Sequence, residues 1–207
     1  MKLIAKQDIS QKRSYEYEIF LENTNNKIYH AKFNSRKDWI MKQLYISNSD
    51  NSLIYEIKQE DNTVPKIIFN FLKKISPIPA DRCKFYIYKL GERIGYILST
   101  TKHGIHIEAV INGAKYEAWN LYNNYISVYE NDKQIALIER ERVNSYADIY
   151  YINCNDDVSK EVIIILNLIT DIECFTFAHH KEPEYYKVIH IASPRKFDKN
   201  WLPNQDK

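Results

Sequence analysis

The sequence predicts an all-β protein with one helix: a closed antiparallel β-barrel of about twelve strands enclosing a hydrophobic C-terminal helix. Three observations predict it. Apolar and polar residues alternate with period two over most of the first 154 positions. Short turn-forming stretches separate the alternating segments, and one long apolar run, Val162 to Ala178, breaks the pattern. A strand sends successive side chains to opposite faces, so the alternation describes a sheet with one buried face and one wet face.

The strand candidates in chain order are 2–7, 14–22, 26–33, 41–46, 52–59, 66–73, 83–90, 92–99, 104–111, 114–120, 124–130, 134–142 and 148–154. In the second, Tyr15, Tyr17, Ile19 and Leu21 share one face, opposite Ser14, Glu16 and Glu18. In the ninth, Ile105, Ile107, Ala109 and Ile111 oppose His106 and Glu108. The connectors are short and polar: Asn23-Thr24-Asn25-Asn26, Ser47 to Ser52, Leu90-Gly91-Glu92, Asn112-Gly113 and Asn131-Asp132-Lys133. Asn-Gly is the most specific, because a two-residue type I′ hairpin needs positive φ at both central positions. Before residue 155 no amphipathic helices alternate with the strands, which excludes a doubly wound α/β fold.

The pattern changes after Asn155-Asp156-Asp157, where carboxylates can cap a helix and complement its dipole. The following run leaves almost no polar face, so a helix over about 157–178 has to be enclosed on all sides. Its length, roughly 33 Å, suffices to traverse a small barrel. A buried strand over Glu161 to Ile169 is the competing reading, favoured by β-branched content and disfavoured by length. A lipocalin-like carrier with the helix outside an empty lumen conflicts with the missing polar face. Residues 1–180 therefore read as one barrel domain. Residues 181–207, with Pro183, Pro194 and Pro203, read as a partly mobile extension in which Tyr185 to Ala192 forms one docked strand.

Composition narrows the function. The 29 basic and 27 acidic residues leave a net charge of +2, too little to draw the chain to nucleic acid or an anionic membrane without a local patch. No nucleic-acid partner is expected. Four glycines, Gly91, Gly95, Gly104 and Gly113, cannot supply a Walker loop or a GxGxxG fingerprint. Cys83, Cys154 and Cys174 form no CxxC pair and suit reduced thiols. Early charge in Met1 to Asp8 disfavours a signal peptide, and Asn167, Asp171 and Glu173 disfavour a membrane span. A cytoplasmic location, peripheral to a membrane at most, is expected, with no cofactor and no metal.

The candidate sites are sparse. Lys73, Lys74, Arg140 and Arg142 form a speculative anion patch, provided Arg140 and Arg142 point outward together; solvated edge charge explains them as well. Arg82 with Lys84 is a further basic pair. His103, His106 and Glu108 offer metal-type ligands without an evident third partner for the His106–Glu108 face. Asn167 and Asp171, four residues apart, share a helix face and need partners: Asp171 reaches the barrel mouth or strand backbone amides, or this end of the helix lines a small cavity. Neither GxSxG nor a cysteine beside a histidine is present to suggest a nucleophile.

Two stretches resemble the tubby C-terminal-like superfamily, which includes tubby, the LURP-one-related proteins and the phospholipid scramblases. One is Phe85 to Ile97, similar to the family's recurring hairpin with glycine in its returning strand. The other runs from Tyr125 to Tyr129 through Gln134 to Ile138 into Tyr150-Tyr151-Ile152 and the helix with Asp171. The resemblance implies strands closed around the hydrophobic helix. It implies phosphoinositide or other lipid contact only by analogy, since tubby's basic lipid-binding motif is not found here. The expected function is a non-catalytic binding or scaffold module recognising a protein partner or an anionic lipid head group through its outer surface. The alternative is a small hydrolase with a cleft at the barrel mouth.

Overall fold

The computed structural model describes residues 1–11, 14–22, 24, 26–35, 42–60, 84–99, 106–121, 124–144, 147–174, 198 and 200–204. Their strands are β1 (Lys2–Gln11), β2 (Ser14–Leu21), β3 (Lys27–Ser35), β4 (Lys42–Asn48), β5 (Leu53–Gln59), β6 (Lys84–Lys89), β7 (Glu92–Ser99), β8 (His106–Ile111), β9 (Ala114–Leu121), β10 (Tyr125–Glu130), β11 (Lys133–Asn144) and β12 (Ala147–Cys154). One helix follows, α1 (Lys160–Cys174). Each strand pairs antiparallel with the next. β12 returns to β1 in a register running from Lys2↔Asn153 to Lys6↔Ile149, which closes the barrel. Closure pairs every edge, the most complete way for a sheet to avoid templating aggregation. The strand expected over 66–73 and the docked strand over Tyr185 to Ala192 lie outside the described residues.

Turn chemistry sets the registers. Asn112 and Gly113 have φ of 51° and 84°, as a type I′ hairpin requires. Asn131 and Asp132 repeat the geometry at 46° and 77°. Leu90, exposed at 49° before Gly91, is the one bulky residue placed in this region among these turns, a position that costs roughly 1–2 kcal/mol for an L-residue other than Gly, Asn or Asp. Gly95 serves packing instead. A Cβ there would lie 2.1 Å from the Val110 carbonyl oxygen, so its absence lets β7 and β8 approach.

The inward face of the sheet alternates as the sequence predicts, and many of its residues are small: Ala5, Ala31, Ala109, Ala118 and Ala136 are all buried. They leave room for a helix about 10 Å across. α1 fills that room. Ile163, Ile164, Ile165, Leu166, Leu168, Ile169 and Ile172 are each no more than 1% exposed, and α1 joins the barrel wall in a single hydrophobic core. Burying each such side chain contributes roughly 1.5–3 kcal/mol.

The helix start differs from expectation. Ser159, not the Asp156-Asp157 pair, is the N-cap: its Oγ accepts the Val162 amide at 3.4 Å. Asp156 is engaged elsewhere, its Oδ2 accepting the Asn204 side-chain amide at 3.0 Å. The described helix ends at Cys174, and 175–178 lie outside the described residues. No described helix is long and apolar enough to cross a membrane.

Candidate functional site

Inside the barrel, the second half of α1 carries the polar residues of an otherwise apolar helix. Asn167, Thr170 and Asp171 are fully buried. The Thr170 hydroxyl donates to the Leu166 carbonyl at 2.7 Å, a bond within the helix. Asp171 is met by side chains of three strands. Tyr17 of β2 donates to Oδ2 at 2.5 Å, Gln7 of β1 donates to the same oxygen at 2.9 Å, and Tyr150 of β12 donates to Oδ1 at 2.6 Å. These partners are phenols and an amide rather than strand backbone amides, because a closed sheet has already paired its own N–H groups. Burial, with the Asp148 carboxylate second, raises the Asp171 carboxyl above its ordinary value, against the pull of Tyr150, Tyr17 and Arg140.

Arg140 belongs to this interior. Its Nε and Nη2 donate to Asp148 Oδ2 at 2.9 and 2.6 Å, and both side chains are buried. The register pairs Arg140 with Tyr150, an inward residue, while Glu139 and Glu141 on either side are exposed. Of the anion-patch residues, Arg140 faces the lumen instead of pointing outward with Arg142, which is exposed; Lys73 and Lys74 lie outside the described residues. A second buried pair, Lys42 with Glu173, ties β4 to the end of α1.

Burial sets the protonation of the phenols in this cluster. Tyr17 and Tyr150 are pushed well above the ordinary phenol value, chiefly by burial and then by Asp171, so both remain protonated donors. The buried Cys154 thiol is pushed up to about 11 by desolvation and stays a poor nucleophile. Near the N-terminal end of α1, Tyr29 donates to Glu161 at 2.6 Å. The crevice there, lined by Tyr29, Ile46, Tyr55, Glu161 and Ile164, has no space for water.

The outer wall is different. On β5 to β7, Lys58, Tyr86 and Tyr96 form one cross-strand row, with Tyr88 and Arg93 paired in the next. The Arg93 guanidinium stands 4.0 Å from the Tyr86 ring centroid. Lys84 lies 4.9 and 5.4 Å from the Tyr86 and Tyr96 centroids, and Lys58 lies 5.6 Å from that of Tyr88. Acids balance the lysines: Glu56 pairs with Lys58 at 2.9 Å, and Glu60 lies 3.8 Å from Lys84 while accepting the Tyr86 hydroxyl. Arg93 has no ion-pair partner among the described residues.

Farther round the wall, His106 stacks on Trp119 with ring centroids 3.8 Å apart. Its Nε2 lies 3.7 Å from Glu117, and its Nδ1 lies 4.0 Å from Glu108. On the His106–Glu108 face the structure shows this stack and the two acid contacts; His103 lies outside the described residues. No group of three metal-type ligands occurs among the described residues.

No protein-family model, curated protein or solved structure matches the chain. The sequence reading missed Tyr86, Tyr88, Tyr96 and Arg93 as a group. Their signal was available in part: tyrosines at every second position of β6 occupy the face expected to be polar, but their meeting with β7 depends on register across a bulge between Ile87 and Tyr88.

Proposed function

We propose that the chain is a non-catalytic binding module that recognises a protein partner through its outer wall. The observation that carries this reading is the filled lumen: α1 occupies the interior, whose titratable groups are buried and bonded to one another, which leaves recognition to the exterior. The tyrosine and arginine face of β5 to β7 supports a protein over an anionic lipid head group. Tyrosine and arginine are the side chains that dominate protein interfaces, and the acids paired with Lys58 and Lys84 cancel most of the positive field a head group needs. The order of twelve strands and then one enclosed helix also supports the resemblance to the tubby C-terminal-like superfamily, a likeness of architecture that assigns no ligand.

The test is affinity capture from lysate of the source cells with the unaltered protein, Tyr86→Ala and Arg93→Ala. A partner retained by the first and reduced about tenfold or more by each substitution, a loss of hot-spot size, is the expected result. Retention unaffected by both substitutions overturns the assignment to this wall. Binding to vesicles containing anionic phospholipid that Arg93→Ala abolishes replaces the protein partner with a head group.

A further inference from the structure

On the β5 to β7 face the two lysines each have an acid, Lys58 with Glu56 at 2.9 Å and Lys84 with Glu60 at 3.8 Å. Arg93 has none among the described residues, its sequence neighbour Glu92 included. Its guanidinium, on an exposed residue, meets a ring instead: it stands 4.0 Å from the Tyr86 centroid, and the Tyr86 hydroxyl donates to Glu60, which anchors the ring. A cation held over a ring keeps its charge. A guanidinium there also keeps its N–H edge, which matches the two oxygens of a carboxylate.

The β6–β7 turn beside Arg93 is strained without a gain in packing. The Asn112-Gly113 and Asn131-Asp132 turns put residues that tolerate positive φ at both central positions, whereas the β6–β7 turn puts Leu90 there, at 49°. Leu90 is not buried in return: it is 76% exposed. Its amide donates to the Ile54 carbonyl at 3.0 Å, which sets the turn beside Leu53, itself 48% exposed. Tyr88, two residues before Leu90, is the cross-strand partner of Arg93. Exposed leucine, tyrosine and an unpaired guanidinium thus adjoin at one end of the wall, and retained strain of this kind collects at contact sites.

We infer, on the reading that the outer wall meets a protein partner, that this end of it binds an extended peptide segment in which an aspartate or glutamate is flanked by apolar residues. The acid takes the N–H edge of Arg93, and its apolar neighbours cover Tyr88 and Leu90. Charge complementarity decides the occupant. A basic segment is repelled by Arg93, and a neutral one covers the guanidinium without giving it a counter-charge. An acid gains paired, charge-assisted hydrogen bonds.

Selection of a displayed random-peptide library on the full chain tests this, with the enriched peptides resynthesised and titrated by fluorescence anisotropy. They are expected to carry Asp or Glu beside an apolar residue and to bind with a Kd of about 100 μM or tighter. Replacing the peptide acid by its amide, and Arg93→Gln in the protein, are each expected to weaken binding about tenfold, and both together no further than either alone. Leu90→Asn is expected to raise the urea midpoint and yet weaken binding about threefold or more. Absence of any enriched peptide overturns the proposal, as do peptides that lack an acid or are indifferent to Arg93→Gln. If Tyr86→Ala still weakens such peptides, the wall remains a protein-binding surface and only its ligand changes; peptides indifferent to both substitutions overturn the wall as well. Binding abolished by amidating the peptide C-terminus overturns the side-chain acid in favour of a chain end. Binding unchanged in Leu90→Asn overturns the part assigned to the turn.

Discussion

Asn167 lies at the centre of α1 with its side chain fully buried, and neither Oδ1 nor Nδ2 has a hydrogen-bond partner among the described residues. An amide removed from water without compensation costs about 1–3 kcal/mol. Its neighbour one turn on, Asp171, shows the opposite outcome: three donors converge on its carboxylate. The two residues share a helix face, yet only the one level with Tyr17 and Tyr150 is satisfied. Asn167→Leu keeps the branched shape and the number of side-chain heavy atoms and removes the unsatisfied amide. It is expected to raise the urea midpoint, equivalent to about 1 kcal/mol or more of added stability. A midpoint lowered in Asn167→Leu and also in the smaller Asn167→Val would show that the amide, and not overpacking by the larger leucine, was stabilising.

At the scale of elements, β11 and β12 show why some of the molecule was legible in the sequence and some was not. The strand positions and the Asn112-Gly113 hairpin follow from local alternation and local φ preferences, which a sequence states directly. The face of Arg140 does not. β11 carries Ile135-Ala136-Leu137-Ile138, four buried residues in succession, so its alternation does not say which parity faces the lumen. Asp148, sharing the parity of Tyr150, Ile152 and Cys154, is the clue that this side holds a buried charge and needs a cation. The helix was legible as enclosed because it lacks a polar face, but its cap was not, since Ser159 and the preceding aspartates all have capping chemistry. The Arg140–Asp148 pair carries its own prediction. Arg140→Met leaves the Asp148 carboxylate buried without its guanidinium and is expected to destabilise the fold by about 3–5 kcal/mol. Adding Asp148→Leu is expected to restore a substantial part of the loss, as buried ion pairs are often replaceable by apolar residues. Denaturant titration of both variants measures it; a single variant within 1 kcal/mol of the unaltered protein, on about the scale of a surface substitution, would show that Arg140 is not buried with Asp148.

For the whole molecule, Asp171 joins the first two strands, the last strand and the helix at one point, so its protonation reports on closure of the entire barrel. Gln7, Tyr17 and Tyr150 bond to it directly, and Asp148 and Arg140 act on it through space. Burial and Asp148 place its folded pKa above the ordinary 3.8. Between those two values the folded chain retains a proton that the unfolded chain has lost. The contribution of Asp171 to stability is therefore greatest at low pH and declines as pH rises from the unfolded value through the folded one. Glu161 works in the other direction. Burial alone would raise it, but the Tyr29 hydroxyl and its other hydrogen bonds hold it below the usual carboxyl value, so its contribution is present at neutral pH and lost as pH falls through its folded pKa. Comparison with Asp171→Asn removes the Glu161 effect, which both proteins share. The substitution also alters the bonds to Tyr17 and Gln7, an offset that does not titrate in this range. The stability of the unaltered protein relative to Asp171→Asn is expected to fall as pH is raised from about 3 to about 7, read from urea midpoints at several pH values. A difference that grows with pH would show that the two tyrosines and Arg140 outweigh desolvation, making the ionised carboxylate the state that holds the barrel around its helix.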